Sequence, residues 1–245
     1  VTLTVTLLSL PLLLLLLSLC LFVLLLLGNC IVERFPEDAI VGEELPDVLG
    51  TSAYTWVIDP IDGTRAFVTG SPLWGTLIAR LDEATPALGV LDQPFTEERF
   101  FADQTGAYFA RGTGRAARVG QPIKTRHCTE LSRATISTTH PDLFASAGDA
   151  LAFREVAAQS LAVRYGGDCY AYGLLAVGGL DLVIESGLKP YDIAALVPIV
   201  QGAGGVITGW NGQSAAAGGR VVAAGCPAIH EAALKVLAQA DDEAL

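Results

Sequence analysis

A chain of 245 residues with 26 acidic and 15 basic side chains, a formal net charge of −11, is long enough for a sizeable hydrophobic core. Small disulfide-stapled folds are thereby excluded, and an acidic chain with no Lys/Arg-rich stretch excludes nucleic acid as a partner. The five cysteines (Cys20, Cys30, Cys128, Cys169, Cys226) form no C-x-x-C pair and no zinc spacing, which points to reduced thiols and a cytoplasmic location.

The chain opens on "VTLTVTLLSLPLLLLLLSLCLFVLLLLGNC", with no charged residue before Glu33. Length and hydrophobicity suit a membrane helix or a secretory leader, yet neither a basic n-region nor flanking Lys/Arg accompanies the run. The chain also contains no Met and places Leu in homopolymeric blocks. A third reading is therefore preferred, in which several of these Leu, Val and Thr stand in for polar side chains of similar outline. On that reading residues 1–32 are helical, belong to the first half of the fold and do not cross a membrane.

From Glu33 onward the pattern is that of a globular enzyme. "IVERFPEDAIVGEE" reads as a helix end, a turn at Pro36 and a short strand stopping at Gly42. "YTWVID" is a β-branched apolar run that predicts a strand ending at Asp59, with one or two helical turns over "RAFVTG" beyond it. "WGTLIARL", "ALGVLDQ", "ERFFAD" and "AYFAR", separated by turn residues, predict an antiparallel meander. A polar stretch ending near residue 130 marks a boundary between a half spanning 33–130 and one spanning 131–245. In the second half, "ATISTTH", "AVRYG", "DLVIES", "GGVIT" and "RVVAAG" read as strands. "DALAFREVAAQ", "CYAYGLLAVGG", "YDIAALVPIVQGA" and "PAIHEAALKVLAQA" read as helices between and after them. Such alternation predicts an α/β fold of layered sheet and helix.

The segment "DPIDGT" carries the chemistry. Asp59 and Asp62 flank a turn beyond a strand, so their carboxylates can converge there with the unpaired carbonyl of Ile61, a set of hard oxygens suited to Mg²⁺. Gly63 and Thr64 then open a helical turn whose free N–H groups favour an anion such as phosphate. A plain polar turn explains these six residues equally well. Two further acidic segments add weight: "VGEE" places Glu43 and Glu44 past a short strand, and "KPYDIAAL" places Asp192 at a helix start.

Together and in this order, the three motifs resemble the inositol monophosphatase family of magnesium-dependent phosphomonoesterases, from Glu33 to about Ala240. The resemblance implies a sandwich of alternating helix and sheet layers. It implies two or three Mg²⁺ ions held by Glu43, Asp59, the Ile61 carbonyl, Asp62 and Asp192. It further implies that Thr64 and Glu43 orient the attacking water, that Asp62 takes part in catalysis, and that the Gly63 and Thr64 amides bind phosphate. A homodimer is common in the family and is carried as an expectation. The family's N-terminal helix also supplies an acid to the signature threonine. Here that region falls in the Leu run after Pro11, so either the acid is missing or a residue between Leu12 and Leu17 stands in for it.

Arg65 after "DGT", with "SPLWGTLIA", "LDQPFTEERF" and "LKPYDIAAL", resembles the histidinol-phosphate phosphatase branch more than the inositol branch. Asp168 in "YGGDCYAY" and Glu185 in "VIESGLKP" would then contact substrate, and two carboxylates suit a cationic amino alcohol. A helix N-cap accounts for Asp168 equally well. The implied reaction is hydrolysis of histidinol phosphate. The alternatives are an inositol or broad sugar-phosphate phosphatase and, from another class, a silent membrane-anchored relative that binds metal or anion. His127, His140 and His230 stand apart from every motif, and Cys169 lacks a partner base, so none of them is read as catalytic.

Overall fold

The computed structural model describes residues 26, 28–43, 47–113, 119–144 and 146–242. The apolar run from Val1 to Leu25, which carries the expectations of a non-membrane helix and of an acid near Thr64, lies outside the described residues, as does Glu44. Among the described residues no helix is long and apolar enough to cross a membrane.

A helix through residues 28–34 (α1) leads into β1 (Ala39–Gly42), which pairs in parallel with β2 (Tyr54–Asp62). A short helix, α2 (Thr64–Thr69), precedes the expected meander of β3 (Gly75–Asp82), β4 (Thr85–Gln93), β5 (Glu98–Asp103) and β6 (Gly106–Arg111). β7 (Gln121–Pro122), too short to show a pattern in sequence, completes a seven-stranded sheet in chain order. The second sheet has the order β11-β12-β10-β8-β9, from β8 (Thr135–Thr138), β9 (Ala162–Tyr165), β10 (Leu182–Leu188), β11 (Val206–Gly209) and β12 (Gly219–Ala224). β8 pairs in parallel with β9 and β10, whereas β12 is antiparallel to its neighbours. The helices are α3 (Ala147–Gln159), α4 (Asp168–Ala176), α5 (Pro190–Ile193), α6 (Leu196–Gly202) and α7 (Pro227–Asp242).

Strand alternation sorts the side chains into layers. Val57 points into the main core with residues of α4 and α6, while its neighbour Ile58 points the other way, onto Ile31 of α1. Val183 of β10 joins the same main core, and Leu182 and Ile184 face a second core under α3 and α7. The stacking is therefore α1, first sheet, α4 to α6, second sheet, α3 with α7, as the layered reading anticipated. Each fully buried Leu, Ile or Phe, such as Leu77, Leu91 and Phe100, contributes about 1.5–3 kcal/mol.

Two elements depart from the sequence reading, both at proline. β2 does not stop at Asp59. It continues to Asp62 through a bulge in which Pro60 and Ile61 face only Thr76 of β3, because Pro60 has no N–H to give the ladder. The helix expected over "YDIAALVPIVQGA" is split at Ala194 and Ala195, where Pro198 lacks the N–H that would bond the carbonyl of residue 194. The split helix presses directly on the first sheet at Gly89, where a Cβ would lie 2.0 Å from the Ala195 carbonyl oxygen. Close packing there sets where Asp192 comes to rest.

Candidate active site

The bulge in β2 brings Asp59 and Asp62 to one side of the sheet end, and the split helix brings Asp192 to the same place. One carboxylate oxygen of each lies within 4.8 Å of the others. A backbone N–H fixes every one of the three: Ile61 N–H donates to Asp59 Oδ1 (3.0 Å), Cys169 N–H to Asp62 Oδ2 (2.6 Å) and Lys189 N–H to Asp192 Oδ2 (2.7 Å). Single N–H partners leave most of the carboxylate lone pairs for a cation.

The electrostatics of the three converging carboxylates are unfavourable. Burial, then the charges of Asp62, Glu43 and Asp192, push the Asp59 carboxyl up to about 9. Burial, with the Asp168 and Asp192 charges, pushes Asp62 up to about 7 against the lowering hydrogen bonds from Cys169. Asp192 is likewise raised by burial. A divalent cation removes this repulsion, and three carboxylates converging with a carbonyl nearby form a hard-oxygen donor set of the kind Mg²⁺ takes. The residues present therefore fit a metal.

Glu43 is exposed and lies outside the three-acid group, although its charge reaches Asp59. The Ile61 carbonyl is not unpaired, contrary to expectation: the Thr64 hydroxyl donates to it at 3.2 Å, because the bulge turns it toward the start of α2. Its second lone pair is left over. Gly63 is required by geometry, with φ at 82° and with a Cβ that would sit 3.0 Å from the Leu73 carbonyl oxygen and 3.2 Å from the Asp168 side chain. Thr64 and Arg65 are exposed at the head of α2.

Beside the acid cluster a cleft of about 240 Å³ is lined by Asp62, Asp192, Asp168, Thr139, Tyr172 and Glu185, among others. Asp168 is not an N-cap. Gly167 caps α4, and Asp168 is its first residue, held at φ 42° with its carboxyl raised to about 6 by burial and the Asp192 charge, against the opposing pull of Arg65. Glu185, in the middle of β10, is buried and accepts from the Thr138 hydroxyl (3.1 Å), the Thr139 N–H (2.7 Å) and the Thr139 hydroxyl (3.0 Å). Burial still raises its carboxyl to about 7.

Thr139, Tyr172 and Ser186 were not singled out in sequence. Thr139 directly follows β8, at a strand end where α/β sheets place ligands, and Tyr172 stands four residues after Asp168 on one helix face, whereas Ser186 lies within β10. Those two regularities are the signals that could have found Thr139 and Tyr172. No histidine lines the cleft, and His230 is a satisfied core residue, its Nε2 2.9 Å from the Thr208 hydroxyl. Cys169 is buried on α4 with its thiol raised well above its ordinary value, foremost by burial, which removes it as a nucleophile.

The fold and this cluster define a layered α/β protein with a carboxylate metal site at the meeting point of its sheets and inner helices. The chain belongs to the inositol monophosphatase family, whose model matches residues 25–242, and that family consists of metal-dependent phosphomonoesterases. It is 44% identical over 221 residues to the bifunctional phosphatase IMPL2, chloroplastic, of Arabidopsis thaliana, a match covering 85% of this chain and 61% of that protein. The chain thus spans less than two thirds of that relative's length. It is 34% identical over 192 residues to the histidinol-phosphatase of Mycobacterium tuberculosis, covering 77% of this chain and 71% of the relative. An inositol monophosphatase from Zymomonas mobilis superposes with a TM-score of 0.76 at 40% identity, covering 86% and 79% of the two chains.

Proposed function

We propose that this protein is a Mg²⁺-dependent phosphatase that hydrolyses histidinol phosphate to histidinol and phosphate. The observation that carries the reading is the convergence of Asp59, Asp62 and Asp192 beside a cleft whose far wall is acidic. Asp59, Asp62 and Asp192 would hold the metal, with Glu43 and the Ile61 carbonyl completing the set. When bound, such ions withdraw charge from phosphoryl oxygens and lower the pKa of water.

The chain's own groups supply position. The Gly63 and Thr64 amides bind phosphate oxygens, and the Thr64 hydroxyl and Glu43 orient the water whose oxygen bonds to phosphorus as the ester P–O bond breaks. Asp168 and Glu185 face the departing alcohol, and their negative charge favours an amine or imidazolium over a polyol. The Arg65 charge favours the ionised form of Asp168. The four cysteines among the described residues are all free, which supports a reducing compartment such as the cytoplasm. The likeness to the Zymomonas mobilis inositol monophosphatase favours a second reading in which inositol 1-phosphate is also turned over.

Phosphate release from both esters with saturating Mg²⁺ tests the proposal. Histidinol phosphate should show the higher kcat/KM, and Asp168→Ala should narrow the gap. Preference for the inositol ester would overturn the substrate assignment, and release from neither would overturn the activity.

A further inference from the structure

Among the buried side chains that line the cleft, Tyr172 is distinctive. It is 2% exposed, yet its hydroxyl is sealed from water and has no hydrogen-bond partner among the described residues. The other buried polar groups around it are paired: Asp59 with the Ile61 N–H, Glu185 with Thr138 and Thr139, and Ser186 with Asp149. A buried phenol ordinarily finds a partner, and an orphaned one is costly. The helix places this one a single turn beyond Asp168 on the same face of α4, with Glu185 across the cleft.

We propose that Tyr172 is a specificity-determining residue whose phenolic oxygen accepts a hydrogen bond from an N–H of the substrate's alcohol. The inference rests on the phosphatase reading above and deepens it. Burial, followed by the charges of Glu185, Asp62 and Asp192, holds the phenol well above its ordinary pKa, so it is present as a neutral hydroxyl. With no partner among the described residues, its lone pairs are free for a donor. That wall of acids admits a cationic N–H more readily than a neutral O–H. Because the hydroxyl is sealed off, the bond requires the side chains of the wall to part as the alcohol enters.

Tyr172→Phe removes only the oxygen. The measurements are steady-state kinetics on histidinol phosphate and on phenyl phosphate, whose alcohol carries no N–H, together with thermal unfolding of metal-free protein. The ratio of kcat/KM for the first ester over the second should fall about tenfold, mostly through KM, as expected for one lost hydrogen bond. Tm should stay level or rise, since no bond within the protein is lost. An unchanged ratio overturns the assignment of Tyr172 while leaving the phosphatase reading intact. A Tm lowered by several degrees also overturns it, because the hydroxyl would then serve the fold. Wild-type protein that hydrolyses neither ester overturns both.

Discussion

Stripping the metal with EDTA and raising the pH should unfold this protein more easily, in contrast to the usual behaviour of paired acids. The Asp59 carboxyl sits at about 9 in the fold against an ordinary value of 3.8, and Asp62 at about 7. Between those limits the folded chain binds more protons than the unfolded chain, so stability is greatest near the unfolded value and is lost as pH rises toward the folded one. From pH 6 to pH 8 Asp59 keeps its proton only in the fold, a loss of about 1.4 kcal/mol per pH unit, or about 3 kcal/mol. Asp62, held lower by its hydrogen bonds from Cys169, adds roughly 1 kcal/mol, and Glu185 acts with the same sign. For a chain of this size the fall in Tm is on the order of 10 °C.

Scanning calorimetry in EDTA at pH 6, 7 and 8 measures it. Asp59→Asn, whose amide oxygen can still accept from the Ile61 N–H, should flatten the slope. Mg²⁺ should do the same by displacing the protons, and at pH 7 titration calorimetry in two buffers should report a net release of protons on binding. A Tm in EDTA that is flat or rises from pH 6 to pH 8 would refute the reasoning.

Asp62→Asn should keep its fold, because the lost charge faces the cleft, and should lose kcat/KM by at least about 100-fold with saturating Mg²⁺; near wild-type turnover would contradict a ligand role. Gly89→Ala should lose about 3 kcal/mol or more in urea unfolding, since its Cβ would meet the Ala195 carbonyl oxygen at 2.0 Å and Pro198 Cγ at 2.7 Å. A change below 1 kcal/mol would show that α6 is free to shift on the sheet.

The local pattern was legible because each strand and helix declares its own face. Alternation in "WGTLIARL" and "RVVAAG" and the acids of "DPIDGT" required no partner to be read. The same locality explains the misreadings. A helical period runs through "YDIAALVPIVQGA" without showing that Pro198 leaves the carbonyl of residue 194 unbonded, and a strand ending at Asp59 is what Pro60 suggests until Thr76 is seen across the bulge. Asp168 looked like a cap because its neighbour Gly167, which takes that position, has no side chain to signal it.

By itself, the sequence determined the succession of strands and helices, the turn chemistry of residues 59–64 and the set of acids available to a metal. Only the tertiary structure decided which acids meet. Asp192 joins Asp59 and Asp62 because α5 and α6 are pressed onto the first sheet at Gly89, while Glu43 stays at the rim. It alone sealed the Tyr172 hydroxyl away from partners and turned the Ile61 carbonyl to Thr64. Convergence and burial are set by the packing of two sheets around shared helices, and a side chain's neighbours across that packing lie far away along the chain.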